Sequence, residues 1–561
     1  MRHALLATLV LGGGAPAVAR SQSPVDSALA AFIATIRAVD NHTHVNTTVA
    51  RDSEFDALPL DGLPPFALPA RIDPNNPELL AGYKELYGYE YTDPGEAHRA
   101  ELRAAMERVT REQGDRFPEW VLDKIGVEVM LANRIAMGPG VQPPRFRWVS
   151  YVDALMLPLS TVAERAATPD YRVLYPLEER LLRRYLADLH MTKVPPTLAA
   201  YLRTVVTPTL ERQRQNGCVA VKFEAAYLRA LDFDEASEAS VRAVYTRYAA
   251  GGVPPHAEYK ALQDFLFRYI AREAGRLGMA VHIHSLEGGG GFYRAAGSDP
   301  LLLESAFNDS TLRGTSFVII HGGGIFASHA GAMLWKPNVW LDMSAMDQLL
   351  PPATLALVLR GWLEQYPDKV LYGSDAFTLG PDAGWELGAW LAETTARRAL
   401  GIALTGMMRD GEITRARAEE IAMMVLRTNA ARLYKLPLRE MRRFHWIASC
   451  VLVTDLLGCH GDATGLAGAA SLTVTNQTAG ATLALDIGSN SAVTIPAGAT
   501  TCKRFASTSD TTVFTITINT PGAAPVSQDF SWVTATDPHW TIIAADLSGA
   551  VALAEGPGGS C

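Results

Sequence analysis

Along the first 440 residues, short apolar runs alternate with stretches in which apolar positions return every three or four residues. The first pattern suits strands buried on both faces, and the second suits helices with one apolar side. Eight candidate strands follow in order: 36–45, 127–134, 147–157, 218–225, 279–285, 317–322, 339–344 and 370–375. Amphipathic stretches such as 261–276 and 353–365 lie between them. A doubly wound open sheet shares this local pattern. The count of eight favours a closed (β/α)8 TIM barrel with insertions.

The pattern changes near residue 440. Residues 441–561 hold 4 Lys+Arg and 8 Asp+Glu, about half the charge density of what precedes them. Short alternating runs, such as 471–475 and 512–518, are separated by Gly, Ala and Pro, which predicts a small all-β, sandwich-like domain. Before it, 441–459 reads MRRFHWIASCVLVTDLLGC, which is similar to a bacterial lipoprotein signal with its lipid-accepting cysteine, here Cys459. Asp455 interrupts the apolar stretch and weakens membrane insertion. This segment fits a buried linker, an anchor, or the start of a second reading frame joined to the first. The last is slightly favoured, and a lipid anchor at Cys459 follows only if the tail is a separate lipoprotein.

The first residues add a compartment. Arg2 and His3 precede an apolar stretch at 4–11, and Ala17-Val18-Ala19 forms a small-x-small cleavage site. That order predicts a signal peptide at 1–19 and export to the periplasm or the extracellular space. A barrel domain at 30–440, an apolar linker at 441–460 and the β domain at 461–561 complete the expected organisation. Of the five cysteines, only Cys218 precedes residue 440, so the barrel is no disulfide scaffold. Cys502 and Cys561 are available for one disulfide in the tail.

Composition excludes several classes. With 48% hydrophobic residues the chain can build a sizeable core, which rules out disorder as a whole-chain description. A net charge of −9 without runs of Lys and Arg argues against a nucleic-acid binder. No apolar run reaches the roughly 18 residues that a membrane span needs.

Polar residues interrupt the ends of four candidate strands. The first ends Asp40-Asn41-His42-Thr43-His44, and side-chain alternation puts both imidazoles on one side. The fifth reads His282-Ile283-His284-Ser285, the sixth Ile320-His321-Gly322 and the eighth Tyr372-Gly373-Ser374-Asp375. Singly, such residues are as often hydrogen-bonded core histidines or helix caps. Together they give four strand ends a metal-competent group on the face where barrels of this kind keep their active sites. Neutral imidazoles with a carboxylate suit Zn²⁺ or a similar divalent ion.

These motifs, DNHTHV at 40–45, HIHS at 282–285, IIHGG at 319–323 and LYGSDAF at 371–377, resemble the amidohydrolase superfamily. Within it they resemble the amidohydrolase-related branch that contains aminocarboxymuconate semialdehyde decarboxylase. The resemblance covers about 36–436. It implies that His42, His44, His284 and Asp375 bind a divalent metal, Zn²⁺ first among candidates, with His321 lining the reaction centre. His284 is preferred to His282 because it directly precedes the loop.

On the fourth strand, Lys222 and Glu224 share one face by alternation. Two-metal relatives carry a carboxylated lysine here that bridges both ions, with His284 and His321 then holding the second. In one-metal relatives this strand end, here Lys222 and Glu224, serves substrate binding or forms a structural ion pair. One ion is favoured.

The resemblance implies an enzyme for a small-molecule substrate. A metal-activated water, with Asp375 as proton acceptor and His321 polarising the bond or protonating the leaving group, would hydrolyse an amide, ester or related bond. Non-oxidative decarboxylation of an aromatic or unsaturated acid is the alternative on the same site. Specificity is expected from long connections. One of about 80 residues carries Tyr83, Tyr87, Tyr89, Tyr91 and a predicted helix at 94–112, read as a lid or as packing on the barrel rim. Another carries Tyr227 and Arg229, the latter a candidate for a substrate carboxylate or a salt bridge. The glycine run at 288–291 permits close backbone approach to a ligand but lacks the Lys-Ser/Thr of a P-loop.

Overall fold

Eight parallel strands pair with one another in sequence order: β1 Ala38–Thr43, β2 Val127–Asn133, β3 Phe146–Tyr151, β4 Cys218–Phe223, β5 Ala280–His284, β6 Phe317–Ile320, β7 Val339–Asp342 and β8 Val370–Leu371. The computed structural model describes residues 25–438, apart from 50, 51, 75 and 381, and the backbone of eight strands between 469 and 556. All eight expected barrel strands are present, shorter at their ends than the apolar runs that predict them.

The sheet closes between β8 and β1. Asn41 N–H donates to Tyr372 O at 2.9 Å, Asp375 N–H to His42 O at 2.8 Å and His44 N–H to Ala376 O at 2.8 Å. The seam of the barrel therefore runs through two of the motifs that carry metal-competent groups. β1 is irregular there: Asp40 pairs with Met130 and Thr43 with Ala132, so β1 has one residue more than β2 over this stretch.

Inside the barrel, Val39, Leu131, Val149, Ala280, Val318 and Leu371 pack together, and Ala430 and Tyr434 of the last helix join them. Outside, helices supply the second layer. His256–Arg276 buries Tyr259, Leu262, Leu266 and Ile270, three or four residues apart, as one apolar side against the sheet. Each such side chain contributes about 1.5–3 kcal/mol by leaving water. Pro352–Leu363 does the same with Leu355, Leu359 and Trp362.

The connection after β1 folds into helices Pro77–Tyr87, Arg99–Gln113 and Phe117–Lys124. The first begins at Asn76, whose side chain accepts Glu78 N–H, and stops at Gly88 with φ 65°. Its tyrosines support the scaffold and not the metal-competent groups. Tyr83 donates to Asp382 O at 2.9 Å, Tyr87 to Glu386, and Tyr89 to Asp93 O at 2.6 Å, while Tyr91 stacks on His98. The packing reading of this cluster holds in place of the lid.

The chain divides into two compact units, Met1–Arg443 and Phe444–Cys561. In the second, antiparallel strands form one four-stranded and two two-stranded sheets, in agreement with an all-β segment. The expected signal peptide at 1–19 and the segment 441–460 with Cys459 lie outside the described residues, as does Cys561. No helix among the described residues is long and apolar enough to cross a membrane.

Candidate metal centre

The carboxyl ends of β1, β5, β6 and β8 bring five of the expected residues together. Asp375 Oδ1 lies 3.1 Å from His42 Nε2 and 3.4 Å from His44 Nε2. These three donors form a group able to hold a metal ion, each ligand atom within 4.8 Å of the others. The His42 and His44 rings meet edge-on at 5.1 Å. His321 stands 5.0 Å from His42, and His284 4.7 Å from His321, between ring centres. His284 belongs to the cluster of rings but not to the tight donor group; its Nε2 reaches Leu286 O at 3.2 Å.

His282 points into the barrel below this cluster, its Nε2 2.7 Å from Tyr434 Oη. Alternation puts His282 and His284 on one side, yet only the latter stands at the mouth.

Backbone strain gathers at the same ends. Among the described residues five non-glycine positions have positive φ, and three of them, His321 (69°), Ala345 (60°) and Asp375 (54°), follow β6, β7 and β8. Each such conformation costs about 1–3 kcal/mol and persists only where surrounding contacts over-determine it. Those contacts are visible. Asp342 Oδ1 accepts His321 N–H at 2.8 Å and the Ser344 hydroxyl at 2.7 Å, while Asp342 Oδ2 accepts Asn41 Nδ2–H at 2.7 Å. With its own proton given to Asp342, Ser344 Oγ accepts from His321 Nδ1 at 2.9 Å. His321 Nδ1 thus carries the proton and Nε2 the lone pair. Gln348 Nε2 donates to the carbonyls of Ser374 and Asp375, which holds the β8 end from the other side.

Burial depresses the pKa of His42, His284 and His321 well below the usual imidazole range, and the nearby Lys222 charge, together with neighbouring imidazoles, acts in the same direction. They are neutral near pH 7, the form that binds metals. Burial lifts Asp375 to about 6, against the pull of His44 and Lys222. Neutral imidazoles converging on a carboxylate make a donor set that fits a divalent ion of the zinc type.

Lys222 is fully buried, with Nζ 3.2 Å from His42 Nε2. The ion pair expected between Lys222 and Glu224 is absent from the ion pairs of the described residues. Glu224 is also buried, its Oε2 without a hydrogen-bond partner, while its backbone N–H donates to Asp153 Oδ2 at 2.8 Å. Glu224, Asp56 and His44 form a second group of metal-competent donors. Nothing in the sequence marks Asp56 as their partner: it sits in an aperiodic connection after β1.

Arg229 is placed away from the centre. Its guanidinium donates to Asp264 at 2.6 Å and lies over the Phe233 ring at 4.5 Å, with 8% of the side chain exposed. The salt-bridge reading replaces the substrate-carboxylate one. Tyr227, two residues earlier, does reach the centre, 4.7 Å from His284. Tyr171 and Tyr293 pack beside it. The glycine run lies against this wall: Tyr171 donates to Gly289 O at 2.9 Å, and a Cβ on Gly288 would fall 2.4 Å from the Tyr227 ring.

Residues 188–436 match the family model described as Amidohydrolase, which spans β4 to β8 and covers Lys222, His284, His321 and Asp375. His42 and His44 lie upstream of that match. No curated protein matches the chain significantly. Among solved structures, a chain from Lactobacillus casei described as a metal-dependent hydrolase is 16% identical, with 73% of this chain and 98% of that chain covered and a TM-score of 0.48. Glucuronate isomerase from Caulobacter crescentus is 14% identical, with coverage of 73% and 94% and a TM-score of 0.49. Uronate isomerase from Thermotoga maritima is 13% identical, with coverage of 73% and 98% and a TM-score of 0.43.

Proposed function

The chain belongs to the amidohydrolase superfamily, and from that premise we propose that it is an exported, metal-dependent hydrolase of a small molecule. The observation that carries this reading is the single carboxylate oxygen of Asp375 facing Nε2 of both His42 and His44. These three, with His284 from β5, would hold one divalent ion, Zn²⁺ first among candidates. When bound, the ion supplies Lewis acidity and makes water a nucleophile near neutral pH, from a pKa of about 15.7 toward about 7.

The protein's own groups do the rest. Asp375 Oδ2, turned toward the His321 ring at 4.0 Å from Nδ1, accepts a proton from the attacking water. His321 presents its Nε2 lone pair, because Nδ1–H is held by Ser344, so Nε2 takes up the proton that Asp375 releases and then, as Nε2–H, gives it to the leaving group. Tyr227 and its neighbours cover one side with aromatic surface and keep bulk water from it.

The lining supports hydrolysis over decarboxylation of an acid. Arg229 is engaged by Asp264, and the side chains beside His44 are the carboxylates of Asp56, Glu224 and Asp375. With its guanidinium so engaged, Arg229 is not there to meet a substrate carboxylate. Export rests on the order of residues 1–19.

The test is a screen of the metal-loaded protein against esters, amides and lactones, with released CO₂ measured in parallel. We expect acid together with alcohol or amine, in amounts that fall on chelation. Release of CO₂ without hydrolysis would overturn the hydrolase reading in favour of the lyase. A mature chain beginning at Arg20 in the exported fraction would support export, and retention of Met1 there would overturn cleavage.

A further inference from the structure

Asp56 lies twelve residues beyond His44, in the connection that follows β1. Its Oδ2 is 3.2 Å from His44 Nδ1, and both side chains are 12% exposed. Oδ1 accepts Leu58 N–H at 3.1 Å, so the carboxylate is pinned by its own turn before it meets the ring. Tyr151 Oη stands 3.1 Å from the same Nδ1.

A neutral imidazole has one N–H and one lone pair. An ionised carboxylate only accepts, so the contact with Asp56 is favourable only with the proton on Nδ1. That leaves the lone pair on Nε2, the nitrogen 3.4 Å from Asp375 Oδ1. The same count bears on the second donor group. His44 cannot give one lone pair both to an ion beside Asp375 and to another beside Asp56. Without a nitrogen, the second group reduces to two carboxylates, Asp56 and Glu224.

We propose that Asp56 is a positioning residue for the metal centre: it fixes the tautomer and ring plane of His44 and raises the basicity of Nε2, and it does not itself bind the ion. The inference rests on the metal site proposed above but not on the reaction catalysed there. Carboxylates placed behind a ligand histidine in this way are worth about 10–100-fold in metal affinity.

The experiment measures Zn²⁺ and Co²⁺ affinity of the full chain by competition with a chromophoric chelator, together with the visible spectrum of the Co²⁺ form. Asp56→Ala is expected to weaken binding about 10–100-fold, to shift the Co²⁺ bands and to leave the metal count at that of wild type. Asp56→Asn, whose amide oxygen still accepts from Nδ1–H, is expected to recover part of the affinity. Thermal melting of the metal-free proteins separates folding from binding. An Asp56→Ala chain that melts earlier but keeps wild-type affinity and Co²⁺ spectrum would overturn the proposal. A metal count that drops by one would overturn it too, by making Asp56 a ligand. A wild-type chain that binds neither ion sinks the metal site and this inference together, whereas a failed hydrolase screen with the affinity pattern intact leaves the inference standing.

Discussion

Asp375, just beyond β8, lies with one carboxylate oxygen 3.1 Å from Nε2 of His42 on β1, so the last strand of the barrel meets the first at the proposed metal site. The backbone repeats the link, Asp375 N–H donating to His42 O at 2.8 Å. The side chain is therefore held by a seam that does not depend on its charge. Asp375→Asn keeps the shape and removes one anionic donor. Metal affinity should fall by at least about tenfold, with hydrolysis lost and the far-UV circular dichroism unchanged. Retained metal at wild-type affinity would exclude Asp375 as a ligand.

His282 and His284 should separate cleanly. His282 donates from Nε2 to Tyr434 Oη, which itself donates to Asn41 Oδ1. His282→Ala strips a buried partner from that chain and should cost about 1–3 kcal/mol in urea melts, with metal content unchanged. His284→Ala, at the mouth, should do the reverse: little loss of stability and weaker metal binding. Equal effects of the two on metal would show that depth in the barrel does not decide which histidine serves the ion.

The contrast between these histidines marks what the chain makes legible. Apolar, β-branched runs are forced into buried parallel strands, which is why all eight appear where expected. Alternation fixes the side a residue faces but not its height along the barrel axis, so it cannot rank His282 against His284. It also fixes only the direction of Lys222 and Glu224. Their separation follows from a competing partner, His42, that comes from β1. Arg229, outside any helix, finds Asp264 on a helix 35 positions on, and no local pattern announces such a pair. Asp56 and the tyrosines after β1 sit in connections without a period, where the fold alone assigns partners.

Asp26 offers a test remote from the site. It caps the helix Ser27–Thr35 by accepting Leu29 N–H at 2.9 Å, and Arg415 grips both its oxygens, at 2.7 and 2.6 Å. The Arg415 hydrogen bonds, helped by the cap, pull its carboxyl from 3.8 down to about 2. A depressed folded pKa means stability that is present above 3.8 and lost as the pH falls through about 2. Asp26→Asn keeps a capping oxygen but should flatten the stability profile in that acid window. Asp26→Ala should cost about 1 kcal/mol at pH 7 for the lost cap, and the half-exposed ion pair adds no more than about 1 kcal/mol. Denaturant melts from pH 2 to 7 would show this, and an unchanged acid profile in Asp26→Asn would rule it out.

Lys222 decides between one ion and two. If it were a carboxylated bridge, a second ion would need His284 and His321, whose ring centres stand 4.7 Å apart. Nζ instead points at His42 Nε2, 3.2 Å away; burial raises the pKa of Glu224 and Asp375, and the Lys222 charge opposes that rise and helps to lower Asp56. A buried ammonium surrounded by carboxylates is a counter-charge, and removing it leaves those anions uncompensated. Lys222→Met preserves the aliphatic stem and should cost about 3–5 kcal/mol of stability. Metal analysis of the folded protein should find one equivalent per chain with either residue, whatever the bicarbonate in the buffer. Two equivalents in the wild type falling on substitution, and restored in the wild type by bicarbonate after acid stripping, would establish the carbamate bridge. The mechanism would then be that of the two-metal hydrolases, with His321 a ligand and no longer free to move a proton.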